Sequence, residues 1–270
     1  MQPTSSGYLI TPQQTRSVAL QSGCDEEAFK LGGIAIITFS KGVLDRLEEL
    51  CTLKDETWIS KLHHPYSAAE VFKRGAYQGI NFTVLVPPMG ASPLACIIED
   101  LVACGVGVIF LACAAWSLGP PVAFGELVVP EFSIGLDGTS IHYGNTTGHI
   151  TANPKVVEAL VTACREREVR FHRGGNATCE AMYRISPEMV ADFRQRGCLC
   201  MENGEASTLF AVTNTLGVLG GVLFQPYIDL QQGWNPDRLD ERYRITCFAQ
   251  AEIVLDAAIR LEAQGRLRES

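Results

Sequence analysis

Positive charge is scarce in this chain: Lys and Arg number 22 against 30 Asp and Glu, for a net charge of -8. A nucleic-acid binder needs clustered cations to displace counterions, so no nucleic-acid partner is expected. The short basic runs at 165–170 and 242–244 are interleaved with Glu and read as solvated helix faces. No apolar stretch is long and unbroken enough to span a bilayer, and the opening MQPTSSGYLITPQQ has no basic region followed by an apolar run. The expectation is therefore no membrane partner and a reducing, cytoplasmic setting. The ten cysteines contain no Cys-x-x-Cys pair and no His at ligand spacing, so they read as small buried hydrophobes, with no metal or cofactor expected. Also missing is any Pro-rich or Gly/Ser-rich linker across the 270 residues, which implies one domain with a full core.

What is present is a succession of strand and helix signals. Residues 33–39, GIAIITF, are a β-branched run suited to a buried parallel strand, and apolar residues at helical spacing follow over 43–53. Residues 70–74 and 80–86 read as strands joined by a hairpin turn at 75–79. The central stretch, 88–144, reads as turn, amphipathic helix, buried strand, small-residue loop, second strand and polar loop. A pocket is expected where its strands end. Ser92 is a candidate N-cap with Pro93 at the first helical position of a helix over 94–105, and 106–112 is the next buried strand. A helix from Asn153 to about Glu168, strands at 197–201 and 218–224, and a closing helix over 236–264 with Gly265 as its stop complete an α/β chain.

The order of motifs resembles the nucleoside phosphorylase family, in particular its uridine phosphorylase branch. The resemblance rests on Gly75-Ala76-Tyr77-Gln78-Gly79, on Gly125-Glu126-Leu127-Val128-Val129-Pro130, on Asp137-Gly138-Thr139-Ser140 and on Glu205-Ala206-Ser207-Thr208-Leu209-Phe210. It covers about residues 33–260. It implies a single-domain, three-layer α/β/α fold with a mixed central sheet. The corresponding division is an N-terminal arm at 1–32, the domain at 33–265 and a tail at 266–270. A small-molecule substrate and a homo-oligomer, trimer or hexamer, are implied with it.

The departures from the family pattern fall on its phosphate chemistry. Phe39-Ser40-Lys41-Gly42-Val43 stands at the family's G-D-P-x-R, and a lysine lacks the bidentate fork of the missing arginine. Pro87-Pro88-Met89-Gly90 replaces a Gly-rich, backbone-donating loop, and two prolines remove two donors. Leu111 stands for an Arg, Cys113 and Trp116 for two glycines, and Ala114 for a hydroxyl. Leu9 falls near the place of an arm histidine. Cys179-Glu180 replaces Ser-Asp ahead of Met182-Tyr183. Glu205 keeps the carboxylate that grips ribose hydroxyls in the family, with Gly204 for a Met and Asn203 for another Glu. Ile228 takes the position of the family's base-facing acid, with Asp229 one residue off and so on the opposite face.

Phosphorolysis needs an anion held by converging donors and an acid for the leaving base, and both look impaired here. The resulting expectation is an apolar pocket lined by Met89, Leu111, Cys113, Ala114, Trp116, Met182, Gly204 and Phe224, with Glu205, His142, Tyr183 and Asp229 as catalytic or orienting groups. Such a pocket suits an apolar substrate and a cyclisation or isomerisation, pericyclic steps included, of the kind found in secondary metabolism. Cleavage of an N-glycosidic bond, by phosphate or by water, is the alternative, and non-catalytic ligand binding a second one. Bland readings stand beside these. His142 fits an Asx turn, Glu205 a helix start favoured by the dipole, and the 111–116 run plain core packing.

Overall fold

The structure, a computed structural model, describes residues 7–56, 69–233 and 240–264. Helix α1 (Pro12–Gln21) opens on a Thr11 capping box, in which Thr11 and Gln14 satisfy each other's backbone donors. Strand β1 (Ile34–Ile37) is buried at all four positions, as its β-branched sequence requires, and leads into α2 (Lys41–Leu50). After the edge strand β2 (Lys54–Asp55), β3 (Val71–Tyr77) and β4 (Ile80–Val86) form an antiparallel hairpin. The turn is tighter than the five residues 75–79. Pairing continues through Tyr77 and Ile80, and only Gln78 and Gly79 cross, both at positive φ, as two-residue hairpin turns demand.

Helix α3 (Ala91–Ala103), β5 (Val108–Ser117) and β6 (Leu127–Leu136) follow. The N-cap of α3 is Gly90 and not Ser92, because the chain turns there at φ 114°. Strand β5 also runs five residues beyond Ala112. With Cys113 and Trp116 in place of glycines the backbone stays extended, pairing with β10 along its length and with β9 at Trp116 and Ser117. The remaining elements are β7 (His149–Thr151), α4 (Pro154–Glu166), β8 (Phe171–Cys179), α5 (Pro187–Gln195), β9 (Cys198–Glu202), α6 (Glu205–Leu216), β10 (Leu219–Asp229) and α7 (Glu241–Ala263). Asn153 caps α4 as its sequence predicts. Residues 236–239 of the expected closing helix, and Gly265, lie outside the described residues.

The sheet is mixed and folds back on itself. Its order is β10-β6-β8-β9-β5-β1-β4-β3-β2, with β7 beside β6, and β10 pairs with β5 as well as β6. Strands β5, β9, β8, β6 and β10 thus form a closed ring from which β1, β4, β3 and β2 extend. Helices α2 and α4 lie against α7, and α3 packs on α6. Charge fixes α7 in place: Glu252 receives both Arg46 and Arg167, and Arg167 also reaches Asp256. The core is one large cluster around Ile36, Phe110, Leu223 and Val254, with a smaller one formed by Trp116, Ile134, Phe193, Met201 and Ile228.

Candidate active site

Strands β1, β4, β5 and β10 run parallel, and their carboxyl ends open towards two cavities divided by Trp116. The smaller, of about 280 Å³, is lined by Phe39 and Ser40 after β1, Met89 after β4, Cys113 to Trp116 of β5, Met201 and Glu202 of β9, Asn203, Glu205, Tyr227 and Tyr243. Its polar equipment is a pair of carboxyl groups, and each sits on the start of a helix. Glu202 Oε2 accepts the Gly204 and Glu205 N–H groups at 2.8 and 2.6 Å, at the start of α6. Glu205 Oε1 accepts the Gly90 N–H at 2.9 Å, at the start of α3. Both are places where a helix favours negative charge.

The two side chains are held differently. Glu202 Oε1 takes hydrogen bonds from Asn176 Nδ2 at 3.0 Å and from the Thr178 hydroxyl, and both donors belong to a buried network with Ser133. With four donors on two oxygens, it is an acceptor. Glu205 is buried with no such set. Its pKa is pushed up to about 9, first by burial and then by the hydrogen bond and charge of Glu202. At neutral pH it therefore carries a proton.

Around this pair the walls are neutral. Burial pushes the Cys113 thiol well up, which keeps it protonated and unreactive. Burial likewise raises Tyr227, whose oxygen accepts the Trp116 indole N–H, leaving the phenol O–H to donate. Tyr243 is raised by burial too, and it bonds with Ser40 and Cys247. Asn203 leaves its Oδ1 without a partner at the cavity.

Asp137 explains the Asp-Gly-Thr-Ser motif. Its carboxylate caps the turn through Thr139 N and Ser140 N, then reaches Ser207 Oγ at 2.6 Å in the first turn of α6. The loop thus fixes the helix that presents Glu205. Gly204 is required where the resemblance offers a Met. It sits at φ 125°, and a Cβ there would meet Ala91 Cβ at 3.1 Å and Glu180 Cγ at 3.2 Å.

The residues predicted for the site are divided by the fold. Met89, Cys113, Ala114, Trp116 and Glu205 line the smaller cavity, and Gly204 adjoins it. Met182 and Tyr183 border the larger one, Tyr183 being 89% exposed. Leu111 and Phe224 are corrections: both are fully buried in the sheet core and line neither cavity, because the cavity begins at Cys113, further along β5. His142 is exposed on the 3-10 turn Ser140–Tyr143, away from both cavities, and Lys41 is an exposed partner of Asp45. Asp229, expected as a catalytic or orienting group, does not line the cavity that holds Glu205. It binds Gln231 N and Gln232 Nε2, while Ile228 lines the larger cavity. Sequence reasoning passed over Glu202, Tyr227 and Tyr243. The available signal was a carboxylate at the end of a short strand whose preceding residues, Cys200 and Met201, are apolar and buried.

Comparison with known proteins agrees with this architecture. The family model described as the phosphorylase superfamily matches residues 33–224. The chain belongs to that superfamily, whose members are enzymes. A uridine phosphorylase of Thermococcus kodakarensis is 26% identical over 207 residues, 72% of this chain and 73% of that one. A guanosine phosphorylase of Halorubrum lacusprofundi is 27% identical over 191 residues, 70% of this chain and 76% of that one. A uridine phosphorylase of Escherichia coli is 22% identical over 241 residues, covering 84% and 92%. Among the described residues no helix is long and apolar enough to cross a membrane.

Proposed function

We propose that this chain cleaves the N-glycosidic bond of a ribonucleoside-type substrate in the smaller cavity, with water as the acceptor. The observation that carries this reading is the carboxyl pair at the starts of α3 and α6. Backbone donors that suit a phosphate already have acceptors there, and a further anion would lie beside Glu202. No Lys, Arg or His lines this cavity among the described residues. The substrate class follows the relatives, which are named for uridine and guanosine.

In this scheme the bond between the sugar carbon and the base nitrogen breaks with its electron pair going to nitrogen. The departing nitrogen takes the proton of Glu205, which burial keeps on the carboxyl at neutral pH. Water adds to the sugar carbon and returns a proton to Glu205, so the enzyme is restored. The Tyr227 hydroxyl and the free Asn203 Oδ1 supply a donor and an acceptor for orienting the substrate.

A second reading is ring closure or isomerisation of an apolar molecule in the same cavity, pericyclic steps included. It draws on the lining by Phe39, Met89, Cys113, Ala115 and Met201. One assay separates the two. Uridine and guanosine are incubated with the protein, with and without phosphate, and free base, ribose and ribose 1-phosphate are resolved. Base and ribose are expected in equal amounts, at a rate indifferent to phosphate and about 10²-fold lower in Glu205→Gln. Phosphate-dependent ribose 1-phosphate would overturn the choice of water. Absence of cleavage would favour the second reading, and saturable ligand binding without turnover would make the chain a binding protein.

A further inference from the structure

Among the described residues, helix α7 sends one side chain into the smaller cavity, Tyr243 in its first turn. Its hydroxyl accepts a hydrogen bond from Ser40, in the loop after β1, and donates to Cys247 Sγ, one turn further along α7. The Cys247 thiol donates in turn to Gln225 Oε1 at 3.2 Å, and Gln225 Nε2 donates to the Tyr243 carbonyl at 3.0 Å, so the chain of bonds closes on the residue where it began. Gln225 and Cys247 are fully buried. A Cβ on Gly42 would meet Cys247 Cβ at 2.9 Å, so α7 is seated directly on the start of α2. The Tyr243 ring meets that of Tyr227 edge to face, with centroids 5.8 Å apart.

We infer that Tyr243 determines which molecule takes the sugar from the base: its ring leaves room for water and shuts out anything larger. This rests on the glycosidic reading, whose site it shares. The other walls are strand ends and carboxyl groups tied to helix starts. The room left beside a sugar in about 280 Å³ is therefore set by the ring that enters from outside the sheet. A phenol oxygen carries one proton and two lone pairs. With the proton given to Cys247 and one pair taken by Ser40, a single accepting position remains. That position suits an incoming molecule with an O–H to give, and it repels the bare oxygens of an anion. One extra carbon in such a pocket is worth about tenfold or more in discrimination, so the ring excludes even methanol.

Cleavage of uridine and guanosine by the full chain in dilute methanol tests it, with ribose and methyl riboside resolved. In transfer to methanol the carbon–nitrogen bond breaks with its electron pair on nitrogen, and Glu205 gives that nitrogen its proton. The methanol oxygen bonds to the sugar carbon and passes its own proton to Glu205. The parent chain is expected to give ribose with at most a trace of methyl riboside. In Tyr243→Ala the ratio of methyl riboside to ribose should rise about tenfold or more, and Tyr243→Leu, which keeps more of the packing, should give a smaller rise. Tyr243→Phe keeps the ring and should hold the parent ratio, while kcat falls about fivefold at unchanged KM because the incoming water loses its anchor. Melting curves show which variants are folded. A merely structural role would lower both products together and leave their ratio alone. An unchanged ratio in folded Tyr243→Ala or Tyr243→Leu, a raised ratio in Tyr243→Phe, or methyl riboside formed by the parent in proportion to methanol would each overturn the inference and leave the glycosidic reading standing. Absence of cleavage in every form would overturn both.

Discussion

The two cavities on either side of Trp116 handle charge in opposite ways. In the smaller one both carboxyl groups are buried, and their orientation is fixed by backbone N–H groups and by a polar network beneath the sheet. In the larger one the single charge among the described residues is an exposed arginine with a long bond to one carbonyl. The first arrangement costs desolvation in advance and leaves little to reorganise when a substrate arrives, which is the condition for transition-state stabilisation. The second leaves its cation adaptable, which suits binding more than catalysis.

Breaking the supports of the smaller cavity should have the largest effect. Glu202→Ala would strand Asn176, Thr178 and two backbone donors in the interior, and a stability loss of about 4 kcal/mol is expected from urea unfolding. Trp116→Ala removes the wall itself. Trp116 belongs to the small core cluster, so about 3 kcal/mol should be lost, and the two cavities should merge. Urea unfolding reads that loss directly.

Glu205 sharpens the comparison through pH. Folded, it titrates at about 9, against an ordinary value of 4.5. Between those values the folded chain holds a proton that the unfolded chain has lost, so the contribution of this group is complete below the lower value and fades as pH climbs through the upper one. Every tenfold gain in proton affinity on folding corresponds to about 1.4 kcal/mol. Urea midpoints measured from pH 5 to pH 9.5 should therefore fall with pH in the parent chain and fall less in Glu205→Gln. Cleavage should decline over the same upper limb. The smallest effect is expected at His142→Ala, an exposed residue away from both cavities, with stability changed by about 0.5 kcal/mol or less and turnover unaltered.

Much of this architecture was legible because it rests on local signals. The β-branched run of β1, the Asn153-Pro154 start of α4 and the Asx turn at Asp137 each declare themselves within a few residues. The site was harder to read because depth decides it. Leu111 and Cys113 share a strand and an apolar character, and only their distance along β5 puts one in the core and the other on the cavity. Continuation of β5 through Ala114 and Ala115 was equally hidden, since alanine has weak strand propensity and pairing with β9 and β10 is a tertiary matter. Glu202 was missed because the family motif directed attention to positions 203–205. Its partners, Asn176 and Thr178, come from a strand more than twenty residues away.

The closed ring bears on how the chain is made. Among the described strands β10 comes last in the chain, and without it β5 lacks its partner along one whole edge while β6 keeps only β7 and β8. A chain cut before Leu219 would leave that β5 edge open to pairing with another chain. Completion of a single late segment converts it into a form with no open seam there.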